Sequence, residues 1–170
     1  MTWTHRAAIA IALSVGSSAC ASLGAMALVR PPRITAARDR EAELRLLAPS
    51  ASRPLGGAAV RLWARVENPN PFSLTLSTLA GRLFLEDVEA ADVDLPLGLP
   101  LVAGEEQIVP VDVSVGFENV PQLGGVIGRA ALGSEVGYRL EGTIGVDAGP
   151  LGRPTFGPLT LLSGDVRVRR

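Results

Sequence analysis

An alternation that runs into a proline-stiffened corner constrains this chain more than any other feature. From Val60 to Glu67 the side chains switch between apolar (Val60, Leu62, Ala64, Val66) and large or charged (Arg61, Trp63, Arg65, Glu67). That period of two predicts a strand with one buried face. Asn68-Pro69-Asn70-Pro71 then stops it, and a second apolar run begins at Phe72. Each proline lacks an amide donor and turns the residue before it away from helix, while asparagine side chains bond nearby backbone. The tetrapeptide therefore predicts a rigid corner between two strands, with Asn68 and Asn70 as turn-formers.

The same period recurs along the chain. Strands are predicted over residues 41–47, 58–67, 72–76, 81–87, 107–117, 136–146 and 159–168, with Gly81 allowing a bend between the third and fourth. The clearest of them places Val109, Val111, Val113, Val115 and Phe117 on one face. Residues 88–104 are acidic and then rich in proline and glycine, and Pro96 and Pro100 suit an irregular edge segment and turn better than a central strand. Leu123, Val126, Ile127, Ala130 and Ala131 recur at helical spacing, which predicts one short helix capped at Asn119, with Pro121 in its first turn and its end at Gly133. The sum is an all-β chain, an antiparallel sandwich of about seven strands with one helix.

The N-terminus reads differently. Residues 7–29 carry no charge and lie between His5-Arg6 and Arg30. At about 1.5 Å per helical residue they reach the ~30 Å of a bilayer core. Residues 1–29 are thus expected to be a signal peptide or membrane anchor, residues 30–33 a stiff linker, and residues 34–170 the folded domain. Three outcomes fit the segment. Ser17-Ser18-Ala19-Cys20 resembles a lipobox, which makes Cys20 a lipidated first residue, although Ser17 stands where such signals usually carry leucine. Ala19-Cys20-Ala21 also suits an ordinary signal peptidase, and the whole stretch is long enough to stay as a transmembrane helix. A lipid on Cys20 or a retained helix makes the membrane a partner, and the cell envelope is the expected location, facing the periplasm or the exterior.

Composition limits the chemistry. The chain has 16 basic and 17 acidic residues, a net charge of −1, and only 4% aromatics, so it offers neither the electrostatic footprint nor the stacking surface that nucleic acid requires. The single cysteine excludes an internal disulfide, and the single histidine, His5, precedes the apolar segment. A domain beginning after that segment has no imidazole or thiol for nucleophilic, general-base or ordinary zinc chemistry. Gly124-Gly125-Val126-Ile127-Gly128 lacks the lysine of a phosphate loop, and its glycines are expected to permit close helix packing. No cofactor is implied.

Two clusters remain. Asp87, Glu89, Asp92 and Asp94, beside Glu86 and near Glu105-Glu106, are a candidate oxygen set for a hard cation such as calcium, or for a carboxylate-dependent hydrolase. The plainer reading is a charged edge that deters strand pairing. Arg61, Trp63 and Arg65 are a candidate contact patch for a partner protein or an anionic lipid, against a tryptophan simply covered by its neighbours.

Taken in order, the strand into Val66-Glu67-Asn68-Pro69-Asn70-Pro71-Phe72, then Gly81-Arg82-Leu83-Phe84-Leu85, the Gly/Pro-rich stretch, the Val109–Val115 strand, the helix and Gly137-Tyr138-Arg139-Leu140-Glu141-Gly142 resemble the type 2 late-embryogenesis-abundant family, also called the WHy (water stress and hypersensitive response) domain. Residues 89–104 depart from it, being more acidic and richer in leucine and proline than the family's usual turn. The resemblance implies a fibronectin-III-like or immunoglobulin-like β-sandwich without catalysis, with a binding or protective role in stress and desiccation tolerance. An accessory subunit of an envelope complex is the alternative role.

Overall fold

In a computed structural model that describes residues 28–117 and 121–168, eight strands and one helix follow in chain order. They are β1 (Arg33–Ala36), β2 (Glu43–Leu47), β3 (Gly57–Glu67), β4 (Leu74–Leu85), β5 (Val88–Leu101), β6 (Glu106–Gly116), α1 (Leu123–Ala131), β7 (Val136–Asp147) and β8 (Thr155–Val168). The described residues are mostly β with one α-helix, as the alternation predicts. β3 carries β6 along one edge and, end to end along the other, β1 opposite residues 64–67 and β2 opposite residues 57–61. β8, β7, β4 and β5 follow in that order. The hydrogen bonds thus run through one open eight-stranded sheet, and its two halves meet at only two parallel residue pairs, Glu43 with Arg167 and Leu44 with Val168. All other pairings are antiparallel.

Side chains from β2 through β8 and from α1 share one apolar interior, which Val29 also enters. In β3 the buried side chains stand at the expected even positions, and in β6 they are Val111, Val113 and Val115, with Val109 and, just past the strand, Phe117 only partly covered. Strand β4 changes parity: Leu74 and Leu76 are buried, then Leu79, Leu83 and Leu85. Against β7 the register passes from Leu76–Val146 to Thr78–Gly145, which makes Ser77 the extra residue, and the β5 ladder is irregular at the same place. Such a bulge keeps leucines inward when the period slips by one.

Several expectations are corrected here. The strands expected at 72–76 and 81–87 are one strand, Leu74–Leu85, and the ladder runs on unbroken through Gly81. That glycine faces Gly142 on β7, where a Cβ on either residue would stand 2.1 Å from the opposite strand's backbone oxygen. Residues 88–101 are a full strand at the sheet margin, because an edge strand tolerates prolines that need not donate to a neighbour. The expected linker 30–33 is not free of the domain. Val29 is 4% exposed, Arg33 begins β1, and that strand was not anticipated because four residues are too few to show a period. β8 starts at Thr155, four residues before the expected strand.

Helix α1 buries Leu123, Val126, Ile127 and Ala130, but Ala131 is exposed. The helix ends as expected at Gly133, whose φ of 96° lets its amide reach Ala130 and lets the Ser134 amide reach the Arg129 carbonyl. Gly124 and Gly128 have nothing near the place a Cβ would take, so the glycines lie on the outward face and not at a packing contact. The expected cap Asn119 lies outside the described residues, as does Cys20 with the signal or anchor segment through residue 27.

Candidate functional site

The corner is tied more widely than a local turn requires. β3 ends at Glu67, and the Asn68 amide donates to the Glu105 carbonyl at 3.0 Å while the Asn68 carbonyl accepts from Gly104 at 3.0 Å. Its side-chain Nδ2 donates to the carbonyls of Phe72 (2.9 Å) and Leu101 (3.1 Å). Its Oδ1 accepts from the Asn70 backbone amide (3.1 Å) and from Asn70 Nδ2 (3.0 Å). Two donors and two acceptors exhaust what an amide side chain offers. Asn70 in turn accepts from the Arg30 amide through Oδ1 (2.8 Å) and donates Nδ2 to the Arg30 carbonyl (2.9 Å).

Asn68 and Asn70 are the buried polar residues among those described, at 0% and 3% exposure. Buried amides keep their place only when bonded, and these join three chain segments: residues 28–30, the corner, and the turn between β5 and β6. Pro69 is half-buried and Pro71 exposed, so the prolines shape the turn while the asparagines bond across it.

Arg61, Trp63 and Arg65 do come together, on the outward face of β3. Arg61 binds the cross-strand Asp112 through two contacts, Nε to Oδ1 at 2.6 Å and Nη2 to Oδ2 at 3.0 Å. This hydrogen bond, with the attraction of the same carboxylate, raises the Arg61 pKa above the ordinary guanidinium value. Arg65 bridges Asp39 (2.8 Å) and Glu106. Trp63 is half-buried, with the Arg40 guanidinium 4.9 Å and that of Arg61 6.0 Å from its ring centre. The patch is therefore a charge-balanced lattice around one aromatic, not an exposed basic spot.

The other half of the sheet repeats this arrangement, which sequence reasoning missed. Phe84 lies between Arg139, 4.9 Å from its ring centre, and Arg82 at 6.0 Å. Arg82 pairs with Glu89 at 3.1 Å, and Arg139 with Asp87 at 3.1 Å and with Glu141. The signal was an arginine two residues from an aromatic in an alternating run, Arg82-Leu83-Phe84 like Arg61-Leu62-Trp63. Its partners sit on other strands and could not be read.

The acidic residues are strung along β5 and not gathered. Asp87 and Glu89 each hold an arginine, Asp92 lies opposite Arg82, and Asp94 opposite Ala80. Glu86 turns its carboxylate to the Gly137 amide at 2.8 Å. Among the described residues no group of three or more His, Cys, Asp or Glu side chains is placed to hold a metal ion.

The family of late embryogenesis abundant proteins matches residues 64–159, more than half of the chain and a span that runs from the corner through β8's start. The chain belongs to that family. Two solved structures share its fold. A protein of Arabidopsis thaliana, 16% identical, superposes with a TM-score of 0.55 over 75% of this chain and 79% of its own. A second protein, assigned to the late embryogenesis abundant (LEA) proteins and 16% identical, gives 0.52 over 84% and 75%. A protein of Archaeoglobus fulgidus, 10% identical, covers 77% of this chain and 98% of its own at 0.44. No curated protein matches.

One further feature of this LEA chain lies at the end opposite the corner. Two open hollows, of about 330 and 420 Å³, flank Tyr138 and share Ser163, Gly164 and Asp165. Burial raises the Tyr138 pKa above the usual phenol value, and Asp165 adds to the shift. Glutamates, aspartates and arginines mix along both rims, so neither hollow selects a ligand of one charge. Among the described residues no helix is long and apolar enough to cross a membrane.

Proposed function

We propose that this LEA protein is held at the cell envelope by its N-terminal segment, facing the periplasm or the exterior, and acts there without catalysis, by surface contact that protects or binds other proteins under stress. The observation that carries the reading is the pair of outer lattices around Trp63 and Phe84. Each presents alternating guanidinium and carboxylate groups with an aromatic centre, and each is already paired when the partner is absent. Such a surface keeps its own charges neutralised when water becomes scarce, yet offers arginine and aromatic contacts to a neighbouring protein. The same reading takes the open sheet as folded into two facing layers of a fibronectin-III type. Both halves bury side chains in one interior, and the joint between them is only two residue pairs long.

The test is to dry and rehydrate a dehydration-labile enzyme with and without the full chain. The reading expects the enzyme to keep most of its activity at equimolar protein. It expects that protection to fall when Arg61, Arg65, Arg82 and Arg139 are together changed to Gln. Protection no better than an equal mass of inert globular protein would sink it. A calcium titration followed by melting temperature separates the metal-dependent alternative, which requires a shift that Asp87→Asn and Asp92→Asn remove.

A further inference from the structure

The strands run lengthwise between two ends. β4 alone has 12 residues, so at about 3.3 Å per residue the ends lie roughly 40 Å apart. The corner end holds the Asn68–Asn70 pair and the turn between β5 and β6. The far end holds α1 and the hollows beside Tyr138. Asn70 binds both backbone groups of Arg30, and Asn68 binds Leu101, Gly104 and Glu105, so residues 28–30 and 101–105 are fastened at the same place. Next to these bonds stand two exposed apolar side chains, Leu28 at 65% and Val102 at 46%.

Leu28 is also where the uncharged run of the sequence meets the described domain, and Val29, the last residue of that run, is spent in the core. From Cys20 to Leu28 an extended chain reaches at most about 30 Å. A bilayer that holds a lipid on Cys20, or the apolar segment itself, therefore lies within that reach of the corner end.

We propose that the Asn68–Asn70 pair is a clasp that fixes residues 29–30 to the domain, and so holds the corner end, with Leu28 and Val102, against a phospholipid bilayer. The far end then points away from it. This rests on the reading that the N-terminal segment is membrane-attached. The clasp converts a tether, which alone limits distance, into a device that sets orientation. Arg30 is bonded through its backbone, which leaves its guanidinium at the lipid headgroup level.

The experiment uses the full chain with phosphatidylcholine vesicles whose acyl chains carry bromine, which quenches tryptophan at contact range. Reporter tryptophans are placed by Val102→Trp at the corner end and by Leu132→Trp at the far end, where Leu132 is 86% exposed, and the native chain's signal is subtracted. Quenching of the reporter at 102 several-fold above that at 132 is the expected result, and equal quenching overturns the proposal. Asn70→Ala should bring the two reporters to similar quenching. It should also speed deuterium exchange at the Arg30 amide roughly tenfold or more, while strand amides stay protected. Pro31 and Pro32 have no amide, so Arg30 dominates the mass change of that segment. If Asn70→Ala frees the Arg30 amide and the quenching ratio is unchanged, the clasp does not set orientation. If Asn70→Ala fails to fold, the two reporters in the otherwise native chain decide alone. Failure of the native chain to float with the vesicles would instead remove the membrane reading itself, and the proposal with it.

Discussion

Asn68 shows how much one side chain can be asked to do. Replacing it by Ala removes the bonds to the carbonyls of Phe72 and Leu101 and to the amide of Asn70, of which those to Leu101 and Asn70 are buried. At about 1–3 kcal/mol per buried polar group left unpaired, with partial relaxation, Asn68→Ala should cost roughly 2–4 kcal/mol in urea or thermal unfolding. Asn68→Asp is the sharper experiment. The carboxylate that replaces Nδ2 would face two carbonyl oxygens, so at neutral pH the variant should be no more stable than Asn68→Ala. Protonation restores a donor there, so Asp should gain on Ala as the pH falls below the carboxyl range. An aspartate variant that matches the native protein at pH 7 would show that the side-chain amide donates nothing essential.

At the scale of the strands, two features control how neighbours approach. Gly81 and Gly142 face each other across β4 and β7 so closely that a Cβ on Gly142 would stand 2.1 Å from the Ala80 oxygen. The obstacle is backbone, which cannot rotate aside, so Gly142→Ala should cost about 3 kcal/mol or more, read as a drop in the midpoint of denaturation. Gly124→Ala is the control: open space surrounds that site, and alanine favours helix by about 1 kcal/mol over glycine, so the variant should be as stable as the native chain or more so. On β5 the prolines protect an edge. Among the described strands β5 ends the sheet and pairs with β4 alone, and Pro96 and Pro100 interrupt the row of amides it would offer to another chain. Changing both to Thr should leave the melting temperature nearly unchanged while light scattering reports concentration-dependent association. A variant that stays monodisperse would show that the acidic half of β5 suffices.

For the molecule as a whole, the chain's single tyrosine reports on the interior from one end of it. Burial holds Tyr138 in its neutral form and lifts its pKa above the ordinary value of about 10, with Asp165 acting in the same sense. A group whose pKa is raised by folding contributes its stability in full below the unfolded value and loses it as the pH rises through the folded value. Stability should therefore fall in the alkaline range above about pH 10. Tyrosinate absorbance should appear later than in the unfolded chain. Tyr138→Phe should flatten that alkaline decline while keeping the packing. A tyrosine that titrates like a free phenol would contradict its burial.

Much of this protein was legible from order alone. The period of two in residues 58–67, 107–117 and 136–146 named three strands that line the core, since burial of one face leaves its record in every second residue. Helical spacing placed α1 and Gly133 its end, and the ordered motifs from the corner to Tyr138 named the family. What order could not convey was pairing between residues far apart. Residues 72–85 looked like two strands because a bulge reverses the parity of burial, and that reversal makes sense only beside β5 and β7. Asn68 and Asn70 looked like local turn-formers because their bonds to Leu101 and Arg30 cross 33 and 40 residues of chain. The acidic run reads as one cluster in the sequence, whereas in space its carboxylates are spaced along one strand or face an arginine on another. Local stereochemistry is written into neighbouring residues, and the sequence alone determined that part. Which distant groups satisfy one another's hydrogen bonds and charges is settled only when the chain closes around its core, and there the tertiary structure decided.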